Sequence, residues 1–117
     1  MPASFKYKSG WHTTWEGEKM FYRSSYELEY AQELDSRKKS YRIEGLRIKY
    51  WDTQTSSSRI AIPDFYLPET NEIVEIKSSW TYDEQNMKDR ATQYLELGYN
   101  FKCFCDKIEL TAAVSGY

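Results

Sequence analysis

The residues best suited to chemistry stand in one stretch, Ile62-Pro63-Asp64-Phe65-Tyr66-Leu67-Pro68-Glu69-Thr70-Asn71-Glu72-Ile73-Val74-Glu75-Ile76-Lys77. Two apolar runs flank a Pro-Glu-Thr-Asn turn, which reads as a β-hairpin. Strand side chains alternate faces, so Glu75 and Lys77 share one face while Val74 and Ile76 take the other. A turn centred between Glu69 and Thr70 sets Asp64 directly opposite Glu75, with Cβ atoms roughly 4.5–5.5 Å apart. Like charges so placed destabilise a sheet, and ionised carboxylates are costly in apolar surroundings. A divalent cation between them removes the penalty. Mg²⁺ is typically held by one or two carboxylates plus waters and phosphate oxygens. Lys77, one side-chain step beyond Glu75, reaches the same place.

Such a set suits hydrolysis of a phosphodiester. Asp64 and Glu75, with the carbonyl of Ile76, would hold one or two Mg²⁺ that polarise the phosphate and acidify a water. Lys77 would orient that water or stabilise charge on the pentavalent phosphorus. A third acid, Glu27, would complete a second metal site or hold a water there. Ser78 and Ser79 have no credible base beside them, so no covalent route is expected.

The elements that must position these groups follow from pattern. Residues 1–10 read as a flexible lead-in. Residues 11–23 suggest a small hairpin with Gly17 in its turn, and His12, the only histidine, reads as a surface residue. Ser24 or Ser25 opens a helix to about Lys39. Ser24-x-x-Glu27 has the capping-box spacing, while Tyr30, Ala31 and Leu34 extend a stripe from Glu27. Glu27 is therefore either a cap folded back on the helix start or a functional acid aimed at the sheet. Tyr41 to Trp51 reads as one strand with a bulge at Gly45. Arg59 to Leu67 and Glu72 to Lys77 complete a three-strand meander. Asp83 or Thr81 caps a second helix with stripe Met87, Ala91, Tyr94 and Leu95, ended by Gly98. Asn100 to Asp106 is a fourth strand, set parallel to Glu72–Lys77 by a right-handed crossover. Ile108 to Leu110 suggests a short final turn, and residues 111–117 a fraying tail. The domain thus spans residues 11–110.

Composition bounds the remainder. The chain has 117 residues, one domain's worth, with 40% hydrophobic residues and eleven tyrosines. No apolar run approaches transmembrane length, so a cytoplasmic protein without membrane partners is expected. Cys103 and Cys105 stand too close for an ordinary bridge and read as reduced packing residues. Net charge is −2, yet residues 37–49 hold six basic side chains against Glu44, and residues 64–84 six acids against Lys77. An acidic centre beside a basic flank suits a metal site next to a polyanion.

Pro63-Asp64 followed by Glu75-Ile76-Lys77 resembles the PD-(D/E)XK signature of restriction-endonuclease-like nucleases. The resemblance spans roughly residues 20–106. It implies an α/β fold in αβββαβ order: a mixed four-stranded sheet, antiparallel meander plus one parallel strand, flanked by helices. Arg23-Ser24-Ser25-Tyr26-Glu27, Pro63-Asp64-Phe65-Tyr66-Leu67-Pro68 and Glu75-Ile76-Lys77-Ser78-Ser79-Trp80 are similar to segments of phage homing-type nucleases and of phage junction-resolving endonucleases. The likeness implies Glu27, Asp64 and Glu75 as metal-site acids, Lys77 as catalytic lysine, Mg²⁺ as cofactor with Mn²⁺ able to replace it, and duplex or branched DNA as substrate. A phage-encoded enzyme would act in the host cytoplasm. The chain lacks the histidine that mismatch-repair-like homing nucleases carry near the second acid.

Phosphate-tracking residues are expected at Arg23, Arg37, Lys38, Arg42, Lys49, Lys88 and Arg90. Trp80 and Tyr82 could pack on sugar or a distorted base, or in the core. A minimal core of near-neutral charge implies targeting by another domain, a homodimer or DNA shape. A catalytically silent DNA-binding module would be expected to have lost Asp64, Glu75 or Lys77, and all three are present.

Overall fold

The computed structural model describes residues 9–115, so most of the expected lead-in and the end of the tail lie outside the described residues. The structure is mixed α/β. Its main sheet has five strands in the order β3-β6-β7-β8-β9: β3 Arg42–Ile43, β6 Phe65–Leu67, β7 Glu72–Lys77, β8 Asn100–Cys105 and β9 Ile108–Glu109. The pair β7–β8 is parallel and the other neighbours are antiparallel. Helix α1, Ser25–Ser36, covers one face; α2, Glu84–Glu96, and the short α3, Thr111–Ser115, cover the other.

The two long helices begin at their caps. Ser24 accepts from the Glu27 amide at 3.2 Å, and Asp83 from the Asn86 amide at 3.0 Å. The first helix ends three residues earlier than expected. Lys38 turns to φ 56°, and the Lys39 amide folds back on the Leu34 carbonyl, closing the helix by an αL cap. Gly98, at φ +92°, ends α2 in the same way.

Alternation sorts the core. Val74 and Ile76 join Phe65, Leu67, Ala31 and Leu34 under α1. Ile73 joins Met87, Ala91, Tyr94, Phe101 and Cys103 under α2. Burying a side chain such as Phe65 contributes about 1.5–3 kcal/mol.

The two long meander strands are not continuous in the main sheet. Tyr41–Trp51 divides into β3 and β4, Ile48–Asp52; Arg59–Leu67 divides into β5, Ser57–Ala61, and β6. Strands β4 and β5 pair only with each other, as a separate two-stranded ribbon packed on α2. Residues 44–47 separate β3 from β4, whereas only residues 62–64 separate β5 from β6. The one-residue excess is that of the bulge expected at Gly45, and a bulge bends the strand that carries it. Glu44 takes φ 55°, and its amide donates to the Asp64 carbonyl at 3.0 Å, joining the two bends.

Three further expectations change. His12 is no free surface residue: its Nε2 lies 2.6 Å from Asp35 Oδ2, fastening the hairpin of β1, Gly10–Thr13, and β2, Lys19–Tyr22, to α1. Residues 108–109 form an edge strand rather than a final turn. The supposed tail folds as α3 because Val114 finds a place in the core beside α2 and β8.

Candidate functional site

The site lies where β6 and β7 part. The observed register, Phe65↔Val74, Tyr66↔Ile73 and Leu67↔Glu72, has the expected turn centre. Extended one step beyond β6, it sets Asp64 opposite Glu75, both facing α2 and both buried. Asp64 Oδ2 accepts from the Ile76 amide at 2.7 Å and lies 3.4 Å from Lys77 Nζ. Lys77 Nζ is also 3.6 Å from Glu75 Oε1. The Asp64, Glu75 and Lys77 side chains therefore share one point.

Pro63 has a local reason to precede the acid. The N–H and C=O of one strand residue point to the same edge, so the Ile76 carbonyl faces β6 along with its amide. Another step of the register brings Pro63 opposite Ile76. Proline has no N–H to donate. The Asp64 side chain takes the amide, and the Ile76 carbonyl meets no backbone donor from Pro63.

Glu75 is held from below. Its Oε2 accepts from the Tyr94 hydroxyl at 2.7 Å and from Arg90 at 3.1 Å, while its Oε1 is buried without a hydrogen-bond partner. Arg90 also lies over the Tyr50 ring. Arg90, expected to track phosphate, thus lies partly buried in the floor of the site. Its place was legible in part. Arg90 stands between Met87 and Tyr94 at helical spacing, and a charge on that apolar stripe needs a buried partner. The Tyr94 hydroxyl was missed because the residue reads simply as core.

Glu27 enters from the α1 side of the sheet. Both of its readings hold in part: Oε1 accepts from the Arg23 amide at 3.0 Å, just before the helix, and the residue lines the same cleft as Asp64 and Lys77. That cleft, about 200 Å³, is also lined by Arg23, Ile76, Ser78 and Thr81. Glu27 does not join Asp64 and Glu75 as a ligand cluster: among the described residues no three His, Cys, Asp or Glu side chains converge in metal-binding geometry.

Electrostatics follow from burial. Burial and the neighbouring Glu75 push the Asp64 carboxyl well above its usual range. Burial likewise raises Glu27. Burial opposes the charge on Lys77, but Asp64 and Glu75 outweigh it and raise its pKa, so Lys77 is a fixed cation. Three carboxyl groups thus stand against two cations, Lys77 and Arg90. The Glu75 Oε1 without a hydrogen-bond partner, the Ile76 carbonyl and the Asp64 carboxylate are a hard oxygen set of the kind Mg²⁺ takes, and so the residues fit a divalent cation.

The remaining expected DNA contacts lie on the surface. Arg23, Arg37, Arg42 and Lys88 are each paired with a glutamate, and Lys38 lies over the Trp15 ring. Lys49 is exposed. Trp80 is 74% exposed, so its possible core role is excluded, while Tyr82 packs at the edge of the core.

No family model, curated protein or solved structure matches this chain.

Proposed function

We propose that this protein is a Mg²⁺-dependent DNA endonuclease of the PD-(D/E)XK type, with Mn²⁺ able to replace Mg²⁺. One observation carries the reading: two buried carboxyl groups face each other where the strands part, with Lys77 Nζ 3.4 Å and 3.6 Å from them. A sheet that needed only stability would not bury such a pair, since replacing buried ions with apolar residues is often neutral or stabilising.

The topology supports the reading. With each bent strand counted once and β1, β2, β9 and α3 set aside, the run from α1 to β8 is compatible with an αβββαβ core. Asp64, Glu75 and the Ile76 carbonyl would hold the cation, with Glu27 beside them. A divalent cation there would offset charge on the reacting phosphate and ease loss of a proton from water. Lys77 places a permanent positive charge where a phosphate oxygen becomes more negative. Tyr94 and Arg90 hold Glu75 so that one oxygen remains available. Within the class, the runs around Glu27, Asp64 and Lys77 favour a phage homing-type nuclease acting on duplex DNA.

The test mixes purified protein and Mg²⁺ with supercoiled, linear and four-way-junction DNA. Lys77→Ala and Asp64→Ala are expected to lower cutting by at least 10²-fold, the scale of losing one transition-state contact. Equal cutting by the variants, or none by the parent protein, defeats the reading. Preference for the junction moves it to a resolving nuclease.

A further inference from the structure

Apart from the Tyr50 ring against Arg90, the β4–β5 ribbon takes no part in the site described above, and its surface is unlike the rest of the molecule. Its inner face, with Ile48, Tyr50 and Ala61, is buried on α2. Its outer face carries Lys49 and Trp51, which stand across from Ile60 and Ser58. Trp51 is 56% and Ile60 53% exposed.

The ribbon's own charges are sorted by exposure. Two acids turn inward at the ribbon, Asp52 accepting from the Gln54 amide and Asp89 of α2 from the Thr53 amide, each at 2.9 Å, while the exposed Asp83 shares a hollow with Gln54, Thr55 and Arg59. Asp52 and Asp89 are buried. Lys49 turns outward and Arg47 is exposed, while Arg59 stands across from Tyr50 on the inner side with its side chain still 57% exposed. Among the described residues Arg47 and Lys49 have no ion-pair partner, and Arg59 reaches Asp52 only at 3.7 Å. Most exposed bases elsewhere are paired with a glutamate. Around the tip, Gln54, Thr55, Ser56 and Ser58 present neutral hydrogen-bonding groups to solvent. The ribbon thus shows water only cations, neutral polar groups and two apolar side chains, on a chain of net charge −2.

We propose that the β4–β5 ribbon is a DNA-recognition arm that docks in the major groove of a duplex whose backbone lies in the Asp64 cleft. This deepens the nuclease reading and rests on it. The major groove, roughly 12 Å wide, admits a two-stranded ribbon. Arg47, Lys49 and Arg59 meet phosphates, which positions the arm without reading sequence. Gln54 and the serines can address base edges, and Ile60 or Trp51 a thymine methyl. The bonds from Asp52 and Asp89 hold the tip rigid, so little ordering is needed on docking. The arm is also close to the chemistry: only Ile62 and Pro63 separate its last residue, Ala61, from Asp64.

Binding to a 30-base-pair duplex is measured by fluorescence anisotropy across a salt series, with Ca²⁺ in place of Mg²⁺. The parent protein is compared with an Arg47→Gln/Lys49→Gln/Arg59→Gln variant and with a Lys102→Gln/Lys107→Gln control. All the substituted side chains are at least partly exposed, and melting checks that each variant folds. The ribbon variant is expected to bind at least 10-fold more weakly, with a log K against log salt slope shallower by roughly two to three; the control should match the parent. Dimethyl sulfate probing adds the groove: guanine N7 protected by the parent and released in the variant. Equal affinity and slope, or protection of adenine N3 alone, overturns the proposal. So does a parent dimer that the ribbon variant converts to monomer, which would make the face a protein interface. If the parent cuts DNA with Mg²⁺ and the ribbon variant binds as well as the parent, only the arm falls. If the parent neither cuts nor binds, the nuclease reading falls and takes the arm with it.

Discussion

At the scale of single residues, Asp64 is the most telling group because its protonation reports the site. A carboxyl raised above its ordinary value of 3.8 gives the folded state a proton the unfolded chain lacks. That contribution is fully present below the ordinary value and is lost as pH rises through the raised one. Metal-free protein should therefore lose stability toward neutral pH through this group. Asp64→Asn keeps an oxygen for the Ile76 amide and removes the titration. In EDTA at pH 7 it should melt several degrees above the parent, with a flatter pH dependence, and should lose any Mg²⁺-induced shift. Differential scanning fluorimetry across pH checks all three. Tyr94→Phe removes one of the two donors on Glu75 Oε2. Mg²⁺ affinity by calorimetry should fall about 10-fold or more, the usual consequence of losing an outer partner of a metal ligand. Side-chain alternation was enough to bring Asp64, Glu75 and Lys77 together from sequence. It could not show what lay beneath Glu75, because that depends on which turn of α2 crosses β7.

At the scale of elements, the bends decide more than the strands do. An added Cβ at Gly45 would stand 2.8 Å from Arg42 Cβ, and that atom lies at the base of its side chain and cannot swing aside. Gly45→Ala should destabilise by about 1–3 kcal/mol, as overpacking does. It should also lower cutting beyond what its melting loss explains, since the same bend bonds Glu44 to Asp64. Activity assayed well below the melting range separates the two effects. Gly45 was recognisable as a bulge, but its consequence was not. Periodicity is blind to a strand leaving one sheet for another, because the alternation resumes unchanged after the bend. The helix ends were readable from Ser24, Asp83 and Gly98, whose roles are local. Strand β9 and helix α3 were not, since elements of two and five residues have little propensity of their own and form only through neighbours such as Val114.

At the scale of the whole molecule, a surplus of buried carboxyl groups should make folding and cation binding interdependent. Mg²⁺ at 100 times its dissociation constant should stabilise the protein by about 2.7 kcal/mol, and EDTA should reverse the shift. Glu75→Gln should abolish the response. No overall melting change with Mg²⁺ up to tens of millimolar would argue that Lys77 and Arg90 alone satisfy the acids.

Helix α2 gives this arrangement a common straight edge. Arg90 and Tyr94 hold Glu75, while Asn86 meets the Tyr50 hydroxyl and Asp89 meets Thr53 at the ribbon tip. Two parts of the molecule are thus measured from one ruler of thirteen residues. A small slide of the helix carries both along, so the error cancels in the distance between them. An inserted residue between Asp89 and Arg90 would break that cancellation, rotating one set of marks by about 100° against the other while leaving every strand in place.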